Sequence, residues 1–391
     1  MREQFLPFAP PSITESEIDA VVQTLRNGWL STGPNAKKFQ ELFLERCGGS
    51  SALAVNSCTA ALHLALVAHG IGPGDEVITT PLTFVSTVNV IEMVGATPVL
   101  VDVEEETLNI DPSKIRAAIT SKTKAIIPVH YAGHPIDRKK INNIAKDHGL
   151  AVIEDAAHGT DARIDGEPLG NTSNLVAYSF YATKNITTAE GGMLTGPSEL
   201  IEKCRTLSLH GLSRQAWGRY KAGGSWKYDV LAAGYKYNMS DLQASLGIAQ
   251  IQRIEELTNR RTEIARKYNQ AFSSNPVLKT LSTKEHVGHA WHLYVLRLNL
   301  PLLEIGRDDF LEALTKLNIG TSVHFIPIQL HSFYRNKYRW AVEDTPVAFN
   351  AFERMISLPI FPAMTDQDIE DVIEAVDSVV SQNVCTKRHA A

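Results

Sequence analysis

Leu150-Ala151-Val152-Ile153-Glu154-Asp155-Ala156-Ala157-His158, followed downstream by Tyr178-Ser179-Phe180-Tyr181-Ala182-Thr183-Lys184, is the part of the sequence from which the fold is read. The first run is a short apolar strand pattern that ends in an acid. The second is apolar and hydroxyl-bearing, and it ends in an amine. Continuous apolar runs of this length suit buried strands of a parallel sheet, and such sheets gather ligands at the carboxyl ends of their strands. A single lysine is nearly always a solvated surface group, so the weight of Lys184 comes from its company.

Working outward, the same texture repeats. Strand-like Ala52–Val55, Glu76–Thr79, Pro98–Val101, Ala125–Val129 and Ala151–Ile153 alternate with helical patterns such as Val85–Val94 and Ile136–His148. Alternation of this kind predicts an α/β fold, a largely parallel sheet covered on both faces. Thr14-Glu15-Ser16-Glu17 is a capping box opening a helix that ends near Asn27-Gly28, and Pro34 sits where the next one begins. After Ser240 the pattern changes to polar helices over Asp241–Leu257 and Asn259–Phe272, then strand, helix and strand between Trp291 and Phe325. A chain of 391 residues exceeds one ordinary core, so a large domain over residues 1–255 and a small one over 256–391 are expected. Gln382–Ala391 reads as a loose tail.

Composition excludes several classes of function. A hydrophobic content of 44% is ample for burial, while a net charge of −5 offers no basic face to nucleic acid. No apolar stretch approaches a membrane span, and Met1-Arg2-Glu3-Gln4 does not begin a secretory signal, so the cytoplasm is expected. Cys47, Cys58, Cys204 and Cys385 are scattered and read as reduced packing residues. His286, His289 and His292 recur every three residues, but they run into an alternating strand pattern in which imidazoles do not converge, so no metal site is expected.

Ser57 supplies the next clue. Asn56-Ser57-Cys58-Thr59 joins the strand-like Ala52–Val55 to a segment with helical spacing at Leu62, Leu66 and His69. A strand feeding a helix through small hydroxyl-bearing residues offers free backbone N–H groups and the positive end of the helix dipole to a phosphate. Simple N-capping by Ser57 or Thr59 explains the same residues. No Walker lysine and no G-x-G-x-x-G follow, so a monophosphate ester fits better than a nucleoside triphosphate or dinucleotide. Phosphate, acid and amine together are the requirements of pyridoxal phosphate (PLP): the acid keeps the pyridine nitrogen protonated and the amine forms the Schiff base.

Taken in order, the phosphate turn, an aromatic at Phe84, Asp155-x-x-His158 and Ser179-Phe180-Tyr181-x-x-Lys184 resemble the DegT/DnrJ/StrS family of PLP-dependent sugar aminotransferases. The resemblance runs from Leu6 to about Val380 and takes in Gly28-Trp29-Leu30-Ser31-Thr32-Gly33-Pro34, Glu190-Gly191-Gly192, Gly234-Tyr235-Lys236-Tyr237-Asn238 and Gly320-Thr321-Ser322-Val323-His324-Phe325. Within the family, Lys184-Asn185-Ile186-Thr187 and Ala290-Trp291-His292-Leu293 are most similar to the branch that makes UDP-4-amino-4-deoxy-L-arabinose. Cys58 departs from the pattern, standing where many relatives carry glycine.

The resemblance implies fold type I: a large mostly parallel-sheet domain sandwiched by helices, with a smaller C-terminal α+β domain. Lys184 is then cofactor anchor and acid/base, with Asp155 the partner of the ring nitrogen. His158 would lie near the ring or its phenolic oxygen, or be a satisfied structural histidine. Phe84 would stack on the ring, or pack into the core. Ser57, Cys58, Thr59 and Ser179 would surround the phosphate. Asn238 would reach the phosphate of the neighbouring subunit in a homodimer, or cap a helix. Thr32, Gly33, His324 and His331 fall in segments that relatives place around the sugar. The implied reaction moves an amino group from L-glutamate to a nucleotide-linked ketosugar, at C4 of a UDP-4-keto sugar, for lipopolysaccharide or another surface glycan. Amination at C3, a PLP sugar dehydratase (a branch that replaces the lysine with histidine) and a non-enzymatic regulator are the alternatives.

Overall fold

In a computed structural model, which describes residues 2–213 and 228–385, the capping box forms as the sequence requires. The Glu17 carboxylate accepts from the Thr14 N–H at 2.7 Å, opening α1 (Glu15–Asn27), which Gly28 ends at φ 75°. Pro34 starts α2 (Pro34–Cys47). As far as Phe272 the described residues then form α3 (Cys58–Ala68), α4 (Val85–Met93), α5 (Pro112–Ile115), α6 (Arg138–His148), α7 (Ser198–Ser208), α8 (Asp241–Gln252) and α9 (Ile254–Phe272). The polar helices therefore break at Arg253, earlier than the pattern predicted. Arg253 leaves the helical region at φ −103° and ψ 3°, and its guanidinium donates to Glu17 and Glu256.

The strands of the main sheet are β1 (Ser51–Val55), β2 (Glu76–Thr79), β3 (Thr97–Leu100), β4 (Thr123–Ile126) and β5 (Ala151–Ala156). Two short strands come next, β6 (Arg163–Ile164) and β7 (Glu167–Pro168), before β8 (Leu175–Ser179) and β9 (Gly192–Gly196) complete the sheet. Its order is β1-β9-β8-β5-β4-β2-β3. Every neighbouring pair is parallel except those made by β9, which runs antiparallel to both β1 and β8. β4 stops before Pro128, which has no N–H for the ladder, yet the Pro128 carbonyl still accepts from Asp155 N–H at 2.9 Å. The helix expected from the spacing of Leu62, Leu66 and His69 forms as α3 and is buried almost all round, because α4 and α7 enclose it against β8 and β9.

A second apolar core lies under β10 (Leu278–Thr280), β12 (Tyr294–Leu298) and β13 (Met355–Leu358), with β11 (Val287–Gly288) pairing back to β6. It draws on Tyr268 and Phe272 of α9, on Phe310 and Ile369, and on Leu6 from the start of the chain. The last helix continues through Asn383, so the expected tail is shorter than the sequence implied, and residues 386–391 lie outside the described residues. No helix among the described residues is long and apolar enough to cross a membrane.

Candidate active site

The carboxyl ends of β1, β5 and β8 and the start of β9 meet around a cavity of about 460 Å³. Ser57, Cys58, Thr59, Phe84, Asp155, His158, Ser179, Lys184 and His324 all line it. Ser57 caps α3, its Oγ accepting from Ala60 N–H at 3.1 Å, so the capping reading holds. Capping and anion binding are compatible here, since the first turn of a helix has more N–H groups than one side chain can satisfy. Gly192 lets β9 come this close: a Cβ there would lie 2.6 Å from the Cys58 nitrogen.

Asp155 is 3% exposed at the end of β5. Burial pushes its carboxyl above the ordinary aspartate value, opposed by hydrogen bonds from Thr87 Oγ1 at 2.7 Å and Ala157 N–H at 3.0 Å and by the charge of Lys184. Its neighbour Glu154 points to the other face of the strand. Burial would raise that carboxyl too, but Arg138 grips it at 2.8 Å through two nitrogens, His130 Nε2 lies at 2.8 Å, and the group is held down to about 2. Glu154 is thus a fixed anion that ties β5 to α6 at the level of the site.

Lys184 lies five residues beyond β8, in a turn closed by its N–H to the Tyr181 carbonyl at 2.9 Å. Thr187 and Thr188 strap the loop to the Phe180 carbonyl at 3.2 and 2.9 Å, and Asn185 Nδ2 donates to the Ala290 carbonyl at 2.7 Å. The residue is only partly buried, yet its amine is withdrawn from water, and burial lowers it to about 8 against the pull of Asp155. About a tenth of such an amine is neutral at pH 7, far more than of a free lysine, and the neutral form is the nucleophile.

Opposite the amine, His158 stacks on Phe325, with ring centres 5.3 Å apart and planes 5° apart, and faces His292 at 4.2 Å. One nitrogen from each of His158, His292 and His324 lies within 4.8 Å of the others. Burial and the Lys184 charge hold all three imidazoles neutral, His324 at about 3. Asn185 accepts from His292 Nδ1 at 3.2 Å, since its amide nitrogen is committed to Ala290. Of the other predicted histidines, His289 stacks on Trp291 instead, at 3.9 Å. Phe84 does not pack into the core. It is 61% exposed at the start of α4, on the rim of the cavity.

Thr32, Gly33 and Asn238 are brought together elsewhere. They line a separate cavity of about 520 Å³ with Trp29, Lys37 and Arg205. Asn238 Nδ2 donates to Thr32 Oγ1 at 2.6 Å and Lys236 Nζ to Asn238 Oδ1 at 2.6 Å, while Asn238 bridges to Val55 of β1 through its backbone. Ser240, not Asn238, caps α8. His331 lies outside both cavities, at the N-terminus of the helix Ser332–Tyr338.

Sequence reasoning missed Thr83, Thr87, Asn185, His292 and Phe325. Asn185 and His292 lay inside quoted motifs, and the hydroxyls of Thr83-Phe84-Val85-Ser86-Thr87 at i and i+4 share one face of a helix start, a signal that was available.

A phosphorylated pyridine carbaldehyde fits these residues. A buried acid stands ready for its ring nitrogen, a neutralisable amine for its carbonyl, and a helix N-terminus with Ser57 and Ser179 for its phosphate. Comparison with known proteins agrees. The DegT/DnrJ/EryC1/StrS aminotransferase family matches residues 11–377. The spore coat polysaccharide biosynthesis protein SpsC of Bacillus subtilis is 50% identical over 381 residues, 97% of this chain and 98% of SpsC. Spr1654 of Streptococcus pneumoniae, solved in PLP and PMP forms, superposes with a TM-score of 0.90 at 34% identity, its PLP form covering 97% of this chain and 99% of its own. The sugar aminotransferase CalS13 from Micromonospora echinospora does so with a TM-score of 0.86 at 28% identity, over 95% and 99% of the two chains. This chain therefore belongs to the DegT/DnrJ/EryC1/StrS aminotransferase family and is a fold type I, PLP-dependent sugar aminotransferase.

Proposed function

We propose that the enzyme transfers the amino group of L-glutamate to C4 of a UDP-linked 4-keto sugar, producing an amino sugar for a surface glycan. The observation that carries the catalytic part is the sharing of one cavity by Lys184, with its amine lowered to about 8, and the buried Asp155. Bound PLP supplies an electron sink and a carbonyl that carries the amino group between substrates. Lys184 would hold the cofactor through its amine, and the same amine would serve as the acid/base of the reaction. Asp155 stays anionic to keep the ring nitrogen protonated. His158, neutral and stacked on Phe325, would lie beside the ring, and Phe84, on the rim of the cavity, would stack on it. Ser57, Cys58, Thr59 and Ser179 receive the phosphate, with His324 toward the sugar.

We further propose that residues 1–255 and 256–391 form the two domains, and that two copies complete each other's sites, which gives Asn238, Thr32 and Gly33 their role. Within one chain they face a different cavity from Lys184. The polysaccharide role of SpsC supports a glycan destination. Four free cysteines, three of them buried, agree with a reducing cytoplasm. Incubating the enzyme with L-glutamate and a panel of UDP, GDP and dTDP 3-keto and 4-keto sugars tests the substrate. Turnover confined to UDP-4-keto sugars supports the reading; amination at C3, or a dTDP or GDP substrate, overturns it.

A further inference from the structure

Asp155 is held by a chain of hydroxyls that neither the sequence motifs nor the reading of the reaction uses. Thr87 Oγ1 donates to Asp155 Oδ2 at 2.7 Å, and the hydroxyls of Thr83 and Thr87 are 2.7 Å apart. A hydroxyl has one hydrogen. With that of Thr87 committed to the carboxylate, the hydrogen between the threonines must come from Thr83, so both donors point toward Asp155. Both residues are buried, at 2% and 0% exposure, and Thr83 lines the cavity while Thr87 stands in the first turn of α4. The second carboxylate oxygen accepts from Ala157 N–H at 3.0 Å.

We infer that Thr83 and Thr87 are positioning residues, a directional relay from the cavity wall that fixes the Asp155 carboxylate in one orientation and favours its ionised form. The inference rests on Asp155 being the partner of the ring nitrogen. Burial opposes ionisation of Asp155, Lys184 and His130 favour it from their own elements, and buried Cys58 faces the same carboxylate as a neutral thiol. None of these neighbours fixes the rotation of the carboxylate. A hydrogen bond does, because it is directional, and one given to a charged acceptor is stronger than one to a neutral acceptor.

The test uses the full chain as Thr87→Val, Thr87→Ser and Thr83→Val. Three quantities are read: the titration midpoint of the Asp155 carboxyl in cofactor-free protein by carbon NMR, assigned with Asp155→Asn; the PLP dissociation constant by dialysis; and the pH dependence of the reaction with L-glutamate. Thr87→Val keeps the shape and removes the donor, so the midpoint should rise by about one pH unit and the dissociation constant by about tenfold. The acid limb of the pH profile should move upward with it. Thr87→Ser should restore all three, and Thr83→Val should shift them less, in the same direction. An unchanged midpoint in Thr87→Val, or failure of serine to rescue it, overturns the relay. If Thr87→Val does not fold, the midpoint in Thr83→Val decides by the same rule. A midpoint that moves while cofactor affinity and pH profile stay fixed leaves the relay standing and removes Asp155 as the ring's partner.

Discussion

The two cavities of this molecule are built differently. The one around Lys184 is made where main-sheet strands end, and Asp155 and the Lys184 loop are tied in place, the first by Thr87 and Ala157, the second by Phe180 and Ala290. The one around Asn238 lies between the segment after α1 and the approach to α8, against the flank of the sheet, with Leu53 and Ala54 of β1 in its wall and Asn238 bridged to Val55. The difference teaches that Lys184 and Asp155 share one cavity with most of the residues expected around the cofactor, while Thr32, Gly33 and Asn238 line another, which is where the proposed second copy would give them a role.

Four measurements bear on that contrast. The largest effect belongs to Lys184→Ala, which should lower transamination by about 10⁴-fold or more and abolish the visible absorption of covalently held cofactor. Retention of activity would mean that the first cavity is not the reacting one. Asp155→Asn keeps the shape and removes the charge, and the half-reaction with L-glutamate, followed by stopped flow, should slow by about 10³-fold. A rate within a factor of two of wild type would make the acid structural. Lys184 then sets the pH dependence of cofactor capture. Its amine is protonated below about 8, so the rate of PLP capture by cofactor-free protein should rise about tenfold per pH unit up to there and level off above. A profile still rising steeply at pH 10 would show an amine with no lowering at all. Finally, mixing inactive Lys184→Ala with inactive Asn238→Asp under subunit exchange should restore about a quarter of the wild-type sites, because half the dimers are mixed and one of their two sites is intact. No recovery after verified exchange would place Asn238 in its own chain's site or away from the cofactor, and the proposal of shared sites would fall.

Legibility in the sequence followed the same divide. Asp155, Lys184 and Ser57 sit next to apolar strand runs whose period and length reveal the sheet, and a sheet predicts where its strand ends converge. The parallel arrangement was also legible from the alternation with helices. The reversal of β9 was not, because Gly192-Met193-Leu194-Thr195-Gly196 has the apolar texture of any buried strand and nothing local encodes direction. The core-packing alternative for Phe84 fell although its neighbours Leu82 and Val88 are buried, because Phe84 itself lies exposed just before α4. His292 was hidden because its approach to His158 depends on packing between the two cores, a contact between distant segments that no window of sequence contains.

The position of β9 has a consequence for how the protein is made. β1 emerges early from the ribosome, but its ladder partner is β9, and its other backbone contact at Val55 is with Asn238. Until those segments are synthesised, the turn at Ser57 has no neighbour to hold it. The turn at Ser57 is thus assembled late, by pairing of segments distant in the chain, the slow class of folding step, and nascent chains that end before residue 192 carry a β1 strand without its ladder partner, open to aggregation.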